Sequence, residues 1–482
     1  MKMLNVRFLI LTAVLALSLT GSSLYGEIVV MDPDYTATGN DPSYTANDSN
    51  CPGNPNCLDL YPDARAKFYT IQDAIANATS CETIVVCPGF YEEHLDFLSK
   101  AVTITSTDPT DPTIVGQTVI DGSGSGDVVL LNKGEGSDSR LIGLTIQHGA
   151  IGIRIEDEAT APVIISCVIT ANTSHGIQVQ DGSAVVDDCK IHENGQSGIS
   201  ISDGLLEISK STITDNGDCG IYAPMSDIRV DRCTISDNTG AGIEKIVGDV
   251  SNGNIIGCVI ISNNTGILNC SGSIRQCTIS KNRDDGIHLN GSSRDSSVSN
   301  CLIAANQGDG VEGNNIPLDD FAIKNCTIVH NGGNGINESG YAKMPVSNCI
   351  ISLNKGYGLS SVYSYPGLSS KYNNVHANFS GDYSYPWYEI KTENDMDVQP
   401  YFITPYSYEN QDGNEVEEDY HLMSPVGRWD PIIADWVQDP IDCRSPCIDA
   451  GDPSESYGEE PDPNGGRLNL GVYGNTSEAS KS

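Results

Sequence analysis

The chain has 482 residues and a formal charge of −38, from 64 acidic against 26 basic side chains. So acidic a surface excludes nucleic acid, whose phosphates need clustered Lys and Arg, and repels polyanionic polymers unless a cation or a local basic patch bridges the contact. Forty-nine glycines and 6% aromatic residues argue against a helical bundle, while 38% apolar against 19% charged residues is too globular for a disordered chain.

In chain order, residues 1–26 read as a secretory signal. Lys2 and Arg7 flank an apolar run from Phe8 to Leu19, followed by Gly21, Ser22 and Ser23. That run of about 12 residues is too short for a bilayer, which needs roughly 20. Nothing downstream is apolar enough to span either, so the mature chain is expected outside the cytoplasm, at or beyond the cell surface. Residues 27–68 form an N-terminal extension. Ile71, Ala74, Ile75 and Ala78 then fall at i, i+3, i+4 and i+7, which predicts a short amphipathic helix. Thr70 with Asp73 supplies a variant capping box.

A repeat organises the middle of the chain. Cys167-Val-Ile-Thr-Ala-Asn172, Cys189-Lys-Ile-His-Glu-Asn194 and Ser211-Thr-Ile-Thr-Asp-Asn216 align, as do segments opening at Cys233, Cys258, Cys277, Cys301, Cys326 and Cys349. Those six close at Asn238, Asn263, Asn282, Asn306, Asn331 and Asn354. Each copy continues through a short turn to Gly and an aliphatic residue, from Gly176-Ile177 to Gly358-Leu359, and copies start 19 to 25 residues apart. A degenerate tenth copy precedes them at Leu144-Thr-Ile146. Apolar residues alternate within each copy, which means strand. One such unit cannot bury its own apolar face, so the copies must stack around a shared core. A period near 23 fits one coil of a parallel β-helix, because the leucine framework of leucine-rich repeats is missing and propeller blades need roughly 40 residues. The Asn column is expected to tolerate turn conformations and to bond amide to amide along the stack, and the Cys column to point inward.

The repeat resembles the right-handed parallel β-helix proteins of the pectin lyase-like superfamily. Thr70-Ile-Gln-Asp-Ala-Ile75 and Ile84-Val-Val-Cys-Pro-Gly-Phe-Tyr91-Glu-Glu93 resemble the opening coil of that superfamily. The resemblance implies an all-β right-handed parallel β-helix solenoid of about ten or more coils over residues 69–375. The helix at 71–78 would be its N-terminal lid, and residues 376–482 an irregular C-terminal cap. It implies no single chemistry, because the superfamily holds lyases, hydrolases, esterases, epimerases and proteins without known activity.

Equal offsets in neighbouring copies lie about 4.8 Å apart, so the repeat can be searched for sites. It stacks Asp285 on Asp309 and His288 on Glu312, with Asp284 and Lys281 beside them. Stacked carboxylates take up a cation or raise a pKa. Asp285, His288, Asp309 and Glu312 are therefore the candidate catalytic group, and Asp284, Asp285 and Asp309 the candidate calcium ligands. A solvated acidic turn in an acidic chain explains the same residues without function. In the C-terminal region, Trp387, Trp429 and Trp436 either stack on sugar rings or cover the last coil. Asp449, Asp452 and Asp462 form a second calcium candidate. Outside the column, Cys51–Cys57 and Cys443–Cys447 are near enough to pair locally. Cys81 and Cys87 are not, because the strand between them holds their Cα atoms about 20 Å apart.

Two functions follow. One is a non-catalytic secreted β-helix presenting an extended surface to extracellular polysaccharide or a surface partner, as a monomer with capped ends. The other is a calcium-dependent polysaccharide lyase or glycoside hydrolase working in the groove.

Overall fold

In a computed structural model of the protein, the residues described are 28–30, 66–245, 253–290, 297–314, 321–340, 344–362, 368–384, 394–404 and 418–482. The expected signal segment, Cys51, Cys57 and Trp387 lie outside them. Three parallel sheets run between Ile28 and Tyr383, one of 15 strands and two of 13. Each coil contributes one short strand to each sheet: Val163–Ile165 to the first, Val168–Thr170 to the second and Ile177–Gln180 to the third. The next coil repeats this with Ser183–Asp187, Lys190–His192 and Ile199–Ser202, paired in register. This is the parallel β-helix that the repeat predicts. Its strands continue through Asn374–His376 and Gly381–Tyr383.

The interior is dry and aliphatic. One continuous core runs from Ile28 to Val375, with the cysteine column as one of its stripes. All cysteines of that column are buried and free, and Ser211 fills its vacant place by accepting the Cys189 N–H at 3.1 Å. The asparagines form a second stripe. Asn216 Nδ2 donates to Asn238 Oδ1 at 2.9 Å, and the Asn216 backbone N–H donates to the same oxygen at 3.1 Å. Asn238 Nδ2 donates in turn to Asn263 Oδ1 at 2.9 Å and to the Ile213 carbonyl at 3.2 Å. The ladder runs one rung further than the sequence pattern, from Asn354 to Asn378, and ends on the Asp382 carboxylate.

The backbone corrects one expectation. The asparagines themselves do not take the left-handed conformation; the residue before each does, as at Ala171, Glu193, Asp237 and Leu353. The strain sits on that preceding residue, which turns the following amide inward. The glycine closing each turn is required by close approach. A Cβ at Gly286 would meet Gly310 O at 2.7 Å and Asn306 Nδ2 at 2.8 Å.

At the N-terminal end, helix α1 (Ile71–Asn77) buries Ile71, Ala74 and Ile75, and the Thr70 hydroxyl caps it by accepting the Asp73 N–H. Glu93 adds a cap not expected from the sequence: its two carboxylate oxygens accept the Ile71 and Gln72 N–H groups at 2.8 and 2.9 Å. Ile28–Val30 lies parallel to Thr83–Val86, so residues before the helix also join the first sheet.

The C-terminal tail follows two courses. Residues 395–398 extend the last coil, where Asp395 Oδ1 accepts the Asn373 N–H and Met396 bridges Asn374. The strand Phe402–Thr404 and the chain beyond residue 418 fold back along the flank of the second sheet, burying Phe402, Tyr420, Leu422, Cys447, Ile448 and Leu470 against Ala304, Val329 and Ile350. Corner side chains receive it: Asn300 Nδ2 donates to the Val472 and Gly474 carbonyls, Asn348 Oδ1 accepts the Asp452 N–H, and Lys371 pairs with Asp452 at 2.6 Å. Cys443 and Cys447 do not pair. Cys447 is drawn into this apolar cluster while Cys443 stays nearer the surface, and both are free. Cys81 is likewise free and Cys87 is disulfide-bonded, so these two do not bond each other.

Candidate functional site

Where the chain passes from the second sheet to the third, each coil offers two equivalent positions, one in the turn and one on the first outward residue of the third strand. The coils opening at Cys277 and Cys301 place Asp285 and Asp309 in the turn and His288 and Glu312 on the strand, with His288 opposite Glu312. His288 Nδ1 stands 3.0 Å from Asp285 Oδ2 and 3.0 Å from Glu312 Oε2. The turn carboxylates do not face each other. Asp285 Oδ1 accepts the Asp309 N–H at 2.6 Å, and Asp309 Oδ1 accepts the N–H and Nδ2 of Asn334. Asn334 Oδ1 then accepts the Tyr357 N–H at 2.8 Å. Each turn side chain thus caps the backbone of the next coil, which relieves the repulsion that stacked carboxylates would otherwise feel. Asn334 occupies the offset of Asp309 one copy on, so its position was readable, but its capping role was not.

The electrostatics follow from these contacts. Hydrogen bonds to Asp285 and Glu312 raise the His288 pKa to about 10 against the opposing effect of burial. The His288 bond holds Glu312 down to about 2. Burial pushes Asp309 up to about 6 and raises Asp285 as well. At neutral pH His288 is an imidazolium clamped between carboxylates, and a group so poised is a poor general base. The structure therefore brings Asp285, His288, Asp309 and Glu312 together and leaves Asp284 exposed beside them.

The cluster belongs to a longer column. On the outward side of the third sheet, Gln178, Ser200, Tyr222 and Glu244 stand one above another in register. Leu268, His288, Glu312, Asn337 and Ser360 continue the row. All are half-buried, and among the described residues none takes a hydrogen bond or ion pair from the tail. At the N-terminal end Arg154 closes the row in a bidentate pair with Asp127 and donates to Gln178 Oε1 at 2.8 Å.

The aromatic and tail candidates lie elsewhere. Trp429 and Trp436 face each other across the hairpin Arg428–Asp430 and Asp435–Val437, with ring centroids 5.7 Å apart. Lys481 Nζ sits 4.1 Å over the Trp436 ring. Asp452 pairs with Lys371, Asp449 with Arg444, and Asp462 accepts from Asn464. Each of these tail carboxylates has its own partner.

The sequence of residues 127–273 and 267–395 matches the model for the right-handed β-helix region, which together is more than half of the chain. The chain belongs to the right-handed β-helix family. No curated protein sequence matches it. Among solved structures, this β-helix protein is similar to the mannuronan C-5 epimerase AlgE4 A-module of Azotobacter vinelandii. That pair is 14% identical, with a TM-score of 0.48, covering 68% of this chain and 94% of that one. It is also similar to pectate lyase Pel9A, at 13% identity and a TM-score of 0.42, covering 94% and 96%. A third is the catalytic unit of a GH87 alpha-1,3-glucanase from Streptomyces thermodiastaticus, at 14% identity and a TM-score of 0.37, covering 65% of each chain.

Proposed function

We propose that this β-helix protein works outside the cytoplasm and binds an uncharged polysaccharide along the outward column of the third sheet, without cleaving it. The observation that carries this reading is the column itself: half-buried and mostly polar side chains, with Tyr222 and Leu268 among them, run from Gln178 to Ser360 at the strand spacing and take no hydrogen bond or ion pair from the described tail. That spacing, about 4.8 Å, is close to the rise of one pyranose along an extended chain. Tyr222 offers an apolar face and its neighbours offer hydrogen bonds, the combination that sugar recognition uses. The charge of −38 selects against uronic-acid polymers, which it repels. The Cys87 disulfide and the order of residues 1–26 support an oxidising, extracytoplasmic location. The tryptophan pair is the weaker candidate, because Trp429 and Lys481 already occupy part of the Trp436 ring surface.

A calcium-dependent lyase or glycoside hydrolase is the competing reading, favoured by the convergence of Asp285, His288, Asp309 and Glu312 and opposed by the clamped imidazolium. Electrophoresis through gels containing neutral polysaccharides or polyuronates separates the two, with assays for new reducing ends and unsaturated products. The expected result is retardation by a neutral polymer, weakened about tenfold in Tyr222→Ala through loss of stacking, with no products. Calcium-dependent product formation, or retardation by polyuronates alone, would contradict it.

A further inference from the structure

Asp285, His288 and Glu312 carry the donor set of a transition-metal site. Among the described residues, theirs are the His, Cys, Asp or Glu ligand atoms that gather as a group of three within 4.8 Å of one another. The spacing suits one ion. Two ligands each about 2.0–2.1 Å from a common metal stand about 2.8–3.0 Å apart at octahedral angles and about 3.3–3.4 Å apart at tetrahedral ones, and His288 Nδ1 is 3.0 Å from each carboxylate oxygen.

The surroundings aim these atoms. Asp285 Oδ1 is held by the Asp309 N–H at 2.6 Å, and Glu312 Oε1 by the Ser339 hydroxyl at 2.9 Å. Each carboxylate therefore has one oxygen anchored from outside the group and the other turned toward Nδ1, the arrangement in which an outer layer of hydrogen bonds orients metal ligands. The frame is rigid, because His288 and Glu312 are paired residues of adjacent strands. It is also accessible, because the His288 side chain is 27% exposed.

We propose that Asp285 Oδ2, His288 Nδ1 and Glu312 Oε2 bind a first-row divalent cation, with Zn²⁺ the best suited, which displaces the Nδ1 proton to solvent and leaves its remaining positions open to water. One imidazole and two carboxylates suit Zn²⁺ better than Ca²⁺, which takes six to eight oxygen ligands. The site differs from a calcium site on Asp284, Asp285 and Asp309 in both ion and ligands, since Asp309 Oδ1 is committed to Asn334. It does not rest on polysaccharide binding, and either reading can fail alone.

Calorimetric titration of the full chain with Zn²⁺, and separately with Ca²⁺, tests it. The parent should take up one Zn²⁺ equivalent that His288→Gln and Glu312→Gln bind about 100-fold more weakly or not at all, while Asp309→Asn keeps it. Circular dichroism melts identify any variant that fails to fold, and excess Zn²⁺ should raise the melting temperature of the parent but not of a folded ligand variant. An absent Zn²⁺ equivalent in the parent, or an unchanged one in both folded ligand variants, would overturn the proposal. So would Ca²⁺ uptake lost in Asp309→Asn without any for Zn²⁺.

Discussion

At the scale of single residues, the asparagine ladder shows what a repeated side chain can do that an isolated one cannot. Asn238 Oδ1 accepts two bonds from Asn216, and its Nδ2 donates to Ile213 O and Asn263 Oδ1. Asn238→Ala would orphan several buried polar atoms at once, each costing about 1–3 kcal/mol. The expected loss in a urea melt is therefore roughly 2–4 kcal/mol, far beyond that of an exposed substitution. A loss below about 0.5 kcal/mol would mean that the stacked amides contribute little. The ladder is legible because Asn recurs at one offset, and Asn378 is less so because Asn373 stands in its copy where the others have Cys or, once, Ser. The left-handed corners were not legible. Ala171, Glu193 and Leu353 hold that conformation through the coil around them rather than through any turn preference of their own.

At the scale of the element, parallel pairing converts sequence offset into contact. That is why the neighbours in the candidate site were readable, while the capping of each coil by the turn side chain beneath it depends on backbone direction. The site also makes a pH prediction. His288 binds its proton more tightly folded than unfolded, since its pKa rises from 6.5 to about 10. Its contribution to stability is thus complete below about pH 6.5 and is lost as pH climbs through 10. Glu312 works in the opposite direction: held near 2 instead of 4.5, it stabilises above 4.5 and ceases to do so as pH falls through 2. Denaturant midpoints should therefore decline on the alkaline side, between about pH 6.5 and 10. His288→Gln should flatten that alkaline decline. An equal slope in parent and variant would place the titrating group elsewhere.

At the scale of the whole molecule, the solenoid is built from local rules and the tail from long-range ones. The coils repeat and so reveal themselves in the sequence. The tail reaches coils more than 100 residues earlier through Asn300, Thr327 and Asn348, and nothing in its composition names those partners. Gly471 is a close approach of the tail to a coil: its φ is +88°, and a Cβ there would meet Thr327 Oγ1 at 2.7 Å. Gly471→Ala should cost about 1–3 kcal/mol and loosen the tail, seen as faster proteolysis after residue 418 with the coils still resistant. Unchanged cleavage would show that the tail is held without this contact. The tail covers the second sheet at its C-terminal coils, while among the described residues the outward column of the third sheet takes no hydrogen bond or ion pair from it, and the functional reading depends on that column. Hydroxyl-radical footprinting in the presence of a retained neutral polysaccharide tests that dependence most directly. Protection of Tyr222, Leu268 and His288, with Trp429 and Trp436 unchanged, is the predicted result; protection of the two tryptophans with Tyr222 still reactive would contradict it.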